Sequence, residues 1–223
     1  KFFRTFAGEK NNNRSSSIAM AITAFLPGIR YVGVNDRTTH LFEGLWSLPQ
    51  GVSYNAYLVI GEKIALIDTV EEAFGSRLFQ HIREEIGDRR IDYLVVNHME
   101  PDHSSSIAAL RQLYPDITIV GNAKTLQMIA GYYGICDGTL EVKEGDTLDL
   151  GGKTLTFQLV PMVHWPETMV TWCAEEQTLF SGDAFGTFGA LDGGITDSQV
   201  DVDRYWNEMR RYYACIVGKY GAP

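Results

Sequence analysis

The chain has 223 residues, 45% of them apolar and 21% charged, which is enough for one domain with a sizeable core. A formal net charge of -9 argues against nucleic acid as a partner, since such a surface would be basic. No apolar run approaches the roughly 18 residues that a membrane span needs, and the three cysteines, Cys136, Cys173 and Cys215, form no CxxC pair, so the chain reads as reduced and cytoplasmic, with the thiols as small buried hydrophobes.

Residues 1–19 hold a polar Asn/Ser tract without the apolar stretch of a secretory signal. They read as an N-terminal extension or a foreign appended segment, with the domain over 20–223. From Ile29 to Asp68 the signals are strand and turn, and "YNAYLVI" and "KIALIDT" form a hairpin through Gly61-Glu62. Between Glu71 and Gly87 the period changes: Phe74, Leu78, Ile82 and Ile86 recur every four residues and predict an amphipathic helix ended by Gly87. "IDYLVVN" follows as a buried strand, then "SSSIAALRQLY" as a helix capped by its serines and stopped before Pro115. "ITIV" reads as a strand and "AKTLQMIAGYY" as a helix.

The pattern then turns to hairpins. "TLEVKEGDTLDLGGKTLTFQLVP" holds three strands with turns at Glu144-Gly145-Asp146 and Gly151-Gly152, and "TMVTWCAEEQTLFSG" holds two more. "VDRYWNEMRRYYACIV" closes as a helix whose Tyr205, Met209, Tyr212 and Ile216 form a core or interface stripe. βαβα units beside antiparallel hairpins predict an α/β fold with two sheets face to face and helices outside.

One segment concentrates chemistry. "NHMEPDHSSS" packs His98, Glu100, Asp102 and His103 into six positions directly after a strand. Pro101 disfavours helical backbone at Glu100, so the segment reads as a strand-to-helix loop. His164 follows another strand, and Asp183 a third, with Gly182 and Gly186 permitting tight backbone. If the three strands share an end, six nitrogen and oxygen ligands meet with no thiolate among them, a set that suits zinc, iron or manganese. Six are too many for one tetrahedral zinc. They suggest two metals about 3.5–4 Å apart, with a carboxylate, best Asp183, between them. A lone histidine after a strand is more often a hydrogen-bonded core residue; the joint pattern is what favours metal. His40 and His81 lack this context, and His81 reads as surface or packing.

In these residues the chain resembles the metallo-β-lactamase superfamily, and within it the flavodiiron proteins, also called A-type flavoproteins. The superfamily's hydrolases usually carry HxHxDH, whereas "HMEPDH" places Glu100 at the second histidine, as in the diiron branch. "GVSYNAYLV", "EKIALIDTV", "VHWPETM" and "LFSGDAFG" extend the likeness from about residue 29 to the end. The resemblance implies an αβ/βα sandwich with two non-haem irons at one edge. One iron would take His98, Glu100 and His164, the other Asp102 and His103, with Asp183 bridging. It implies reduction of O2 to water, of NO to N2O, or both, with electrons relayed from FMN and supplied by a rubredoxin-like or other reductase. It also implies a head-to-tail homodimer in the full-length architecture. Trp165 and Phe185, each near a ligand, read either as walls of a substrate pocket or as ordinary packing.

Two departures qualify the resemblance. The family brings a further histidine to the second iron, and this chain has none after His164. The family also carries a flavodoxin-like FMN domain, and no phosphate-cradling glycine loop occurs here. The sequence therefore reads as a C-terminally incomplete diiron domain that by itself binds no FMN and turns over poorly. A zinc-dependent hydrolase and a metal-free, inactive fragment are the competing readings.

Overall fold

Leu58 and Val59, Leu66 and Ile67, Leu94 and Val95, and Ile119 and Val120 are neighbours in sequence, all buried, and divided between two different apolar clusters. Successive side chains of a strand point to opposite faces, so a sheet with both faces covered needs such doublets. The computed structural model describes residues 24–192 and 194–220; the extension expected over 1–19 lies outside them.

In chain order the strands and helices are β1 (Ala24–Leu26), β2 (Ile29–Tyr31), β3 (Val34–Asp36), β4 (Leu41–Phe42), β5 (Trp46–Ser47), β6 (Val52–Tyr54), β7 (Tyr57–Ile60), β8 (Ile64–Ile67) and α1 (Gly75–Ile86). There follow β9 (Tyr93–Val95), α2 (Pro101–Ser104), α3 (Ile107–Leu113), β10 (Thr118–Gly121), α4 (Ala123–Tyr133) and β11 (Thr139–Glu141). The last are β12 (Thr147–Asp149), β13 (Thr154–Leu159), β14 (Met169–Cys173), β15 (Thr178–Phe180) and α5 (Trp206–Tyr212).

A seven-stranded mixed sheet runs in the order β1-β2-β7-β8-β9-β10-β11. Its first strands pair antiparallel, and β8 to β11 pair parallel. Leu58, Leu66, Leu94 and Ile119 face Leu78 and Ile82 of α1, Ile107 and Leu110 of α3, and Ile129 of α4. Val59, Ile67, Val95 and Val120 face Leu155, Phe157, Met169 and Phe180 of an antiparallel four-stranded sheet, β12-β13-β14-β15. Each such fully buried side chain contributes about 1.5–3 kcal/mol. The architecture is thus the expected α/β sandwich of the metallo-β-lactamase-like type. No helix among the described residues is long and apolar enough to cross a membrane.

Several local expectations need correction. β11 pairs parallel with β10, so the segment after it crosses between sheets, and only the turn at Gly151-Gly152 closes a hairpin. The serines do not cap α3: Ser104 and Ser105 return their hydroxyls to the carbonyls of Met99 and Pro101, and Ser106 donates to that of Val70. Asn122 does cap α4, accepting from the backbone N–H groups of Lys124 and Thr125. Cys136 is exposed, unlike buried Cys173 and half-buried Cys215. The stripe Tyr205, Tyr212 and Ile216 is buried, and Tyr212 and Ile216 join the helix-side core. His81 is a packing residue whose Nδ1 meets the carbonyls of Val32 and Gly33.

Candidate metal centre

Asn97, at the end of β9, ties the ends of both sheets together. Its N–H donates to Asp68 Oδ1 at 2.7 Å, just past β8. Its amide donates to the carbonyl of Phe180 at 3.1 Å and accepts from the Thr171 hydroxyl at 2.7 Å. Its carbonyl takes the N–H of Met169 at 3.0 Å. The ends of β8, β9 and β15 and the start of β14 therefore meet, and the segments that follow or precede them carry the polar residues.

Glu100 is extended at φ -58, ψ 143, as Pro101 requires, and the chain then enters α2. Asp102 and His103 thus lie on a helical turn rather than in the loop the sequence suggested. The His103 carbonyl accepts from the N–H and hydroxyl of Thr69, both at 2.8 Å, which fixes that turn to the end of β8.

The six sequence-predicted residues come together. One ligand atom from each of His98, Glu100, His164 and Asp183 lies within 4.8 Å of the others, and so do those of Asp102, His103 and Asp183. Asp183 belongs to both groups and turns one oxygen to each. Its Oδ2 is 3.0 Å from His164 Nε2 and 3.4 Å from His98 Nε2, and its Oδ1 is 3.0 Å from His103 Nε2. Glu100 Oε2 lies 3.1 Å from His164 Nε2 and 3.3 Å from His98 Nε2. Gly182, at φ 57, allows the turn that delivers Asp183; beyond it, Phe185 rather than Gly186 takes the left-handed conformation.

Two buried carboxylates aim the rings. Glu167 Oε1 is 2.8 Å from His98 Nδ1 and also accepts the N–H of Met99. Asp68 Oδ2 is 3.2 Å from His103 Nδ1. An imidazole whose Nδ1–H donates to a carboxylate presents its Nε2 lone pair to the centre, the usual outer support of a metal-binding histidine. Asp68 reaches this position at φ 57, a conformation costly for a residue with a Cβ. The sequence reading missed Glu167, Asp68 and Asn97. "HWPE" and "LIDT" hold the two carboxylates, but neither sits where a ligand pattern would flag it. Tyr212 was missed as well: its phenol is buried close to the cluster, and burial and the charges of Asp183, Asp102 and Glu100 all make it harder to ionise.

Charge sharing is strong in this protein-only cluster. Burial favours neutral His164, but hydrogen bonds to Asp183 and Glu100 outweigh it and lift its pKa to about 9. Burial opposes ionised Glu100, yet the facing histidines hold it down to about 2. His98 is likewise raised, burial being overcome by Glu100 and Glu167. Oε1 of Glu100 is buried and no donor reaches it. Converging Nε2 atoms, a carboxylate shared by two groups and an undonated buried oxygen are what a pair of cations would satisfy. The donors, all nitrogen and oxygen, suit iron, zinc or manganese.

A cavity of about 570 Å³ opens beside Glu100 and Asp102, with Phe42, Tyr54, Phe74 and Trp165 among its walls. Trp165 also stands edge-on to His98, with centroids 5.2 Å apart. Phe185 takes no part in this wall. Its left-handed backbone turns the ring outward, leaving it 81% exposed.

The chain is similar to several known proteins. Residues 52–219 match the family model described as "ODP family beta lactamase". The chain is 37% identical over 196 residues to a nitric oxide reductase of Moorella thermoacetica, covering 87% of this chain and 49% of that protein. It is 37% identical over 202 residues to the rubredoxin-oxygen oxidoreductase of Megalodesulfovibrio gigas, covering 90% and 50%. The crystal structure of the flavodiiron protein from Giardia intestinalis superposes with a TM-score of 0.83 at 30% identity, covering 93% of this chain and 49% of that one. The chain spans about half the length of the curated relatives it matches.

Proposed function

The chain belongs to the ODP family of β-lactamase-like domains, the diiron-domain family of the flavodiiron proteins, and from that premise we propose that it reduces O2, NO or both at two non-haem irons. His98, Glu100, His164 and Asp183 would hold one iron, and Asp102, His103 and Asp183 the other. The observation that carries this reading is Asp183 with one oxygen in each group. A pair of ferrous ions supplies electrons and open coordination positions for a small diatomic molecule.

The protein's own part is positional. Glu167 and Asp68 hold the Nε2 atoms of His98 and His103 inward. Phe42, Phe74 and Trp165 give the neighbouring cavity an apolar wall, which suits an uncharged gas. Glu100 replaces a neutral imidazole by an anion, and the added negative charge favours the ferric state, easing a cycle between ferrous and ferric. A hydrolytic zinc gains little from that exchange.

The reading extends to partners. Electrons for the irons would come through FMN from a rubredoxin-like or other reductase, and two protomers would pack head to tail. The likeness to a rubredoxin-oxygen oxidoreductase supports this donor class. Residues 20–223 would belong to one metallo-β-lactamase-like diiron domain, with residues 1–19 an N-terminal extension or a foreign appended segment. Three unpaired cysteines support a cytoplasmic location.

The test is metal analysis of protein purified anaerobically, followed by O2 and NO consumption with reduced rubredoxin and a flavin-bearing partner. Two irons per chain and consumption of either gas are expected. Bound zinc with ester or lactam hydrolysis would overturn the proposal.

A further inference from the structure

The cavity beside the centre has a one-signed charge. Its lining includes Glu43, Glu71, Glu100 and Asp102, and among the described lining residues there is no lysine, arginine or histidine. Glu100 and Asp102 fall within the two ligand groups, so bound cations would neutralise them. Glu43 and Glu71 belong to neither group. Glu43 stands at the tip of the β4–β5 hairpin, at φ 49, and lines the cavity together with Glu100. Glu71 lies on a separate segment, between β8 and α1, and lines the same cavity. These two carboxylates are therefore the charges that a molecule in the cavity meets without a cation to compensate them. Nothing in the packing requires such an arrangement: Glu43 is exposed, and glutamine would fit the same space.

We infer that Glu43 and Glu71 act as a charge filter, admitting small neutral molecules to the metal centre and repelling small anions. Repulsion built against the wrong ligand is a standard route to specificity. A confined cleft lined by one sign of charge focuses the field that does it. Azide and nitrite resemble the neutral diatomics in size, and either would otherwise occupy an open metal position. The inference rests on the reading of the two groups as a metal pair, but it does not depend on which metal they hold.

The test is azide binding to the metal-loaded protein, followed by calorimetry, beside binding of NO. In Glu43→Gln and Glu71→Gln, azide should bind about three- to tenfold more tightly, the range expected for removing one screened charge at short distance. NO affinity should stay within twofold. Adding salt should narrow the gap between variant and parent for azide. Unchanged azide affinity in both variants, or azide and NO changing in parallel, would overturn the filter. Two single variants on separate segments keep the test alive if one loses metal. Metal analysis of the same samples separates the outcomes: zinc in place of iron would sink the proposed reductase while the azide comparison still decides the filter.

Discussion

His98 and His103 stand on either side of Asp183, and each turns its Nδ1 onto a buried carboxylate, Glu167 or Asp68. Behind the rings the two halves of the centre are built alike. In front they differ. The His98 half draws four residues from three separate segments, and the His103 half draws three, two of them adjacent on one helical turn. More donors, held by more independent parts of the fold, should bind a cation more tightly. The comparison teaches that the outer support of a metal site and its donor count are separate properties, set by different parts of the sequence.

The strongest way to break the comparison is to remove what the halves share. Asp183→Ala should abolish tight binding at both, so that metal content after gel filtration falls from two ions per chain to below one. Next come the supports. Glu167→Gln should weaken the first ion and Asp68→Asn the second, each by roughly 10–100-fold. Metal competition with a coloured chelator would show whether the two losses stay on their own sides.

Acid should act on the first half before any mutation. His164 must be neutral to bind a cation, and its pKa of about 9 in the metal-free cluster means that a proton holds the site at neutral pH. Apparent affinity there should therefore rise with pH, by up to about tenfold per unit for each proton displaced, and level off above pH 9. A flat profile between pH 6 and 9 would contradict this account. The smallest effect is expected from Tyr212→Phe. It removes one buried hydroxyl close to Asp183, which both halves share, and should change stability by only about 1 kcal/mol without changing the ratio of the two affinities. Thermal unfolding and the chelator assay would measure the two quantities together.

Much of this was legible in the sequence because periodicity and ligand chemistry are local signals. The four-residue spacing from Phe74 to Ile86 gave α1, and "HMEPDH", His164 and Asp183 announced the centre. The strand ends had only to converge, and Asn97 shows how they do so. What escaped notice depends on long-range pairing. Nothing near Thr139 says that β11 adds to the first sheet rather than turning back on β12. Serine hydroxyls can serve a helix cap or a nearby carbonyl, and only packing chooses. Glu167 and Asp68 look like ordinary surface acids until the fold buries them behind imidazoles. Phe185 follows a ligand closely in sequence, yet the backbone turn at that residue carries the ring away from the cavity.

The most direct test of the unequal, Asp183-linked pair is an anaerobic titration of the metal-free protein with ferrous ion, followed by calorimetry. The structure predicts two ions per chain in two resolved steps, the tighter one lost on His98→Ala and the weaker on His103→Ala. A single step at one ion per chain, or two steps that both survive Asp183→Ala, would contradict it.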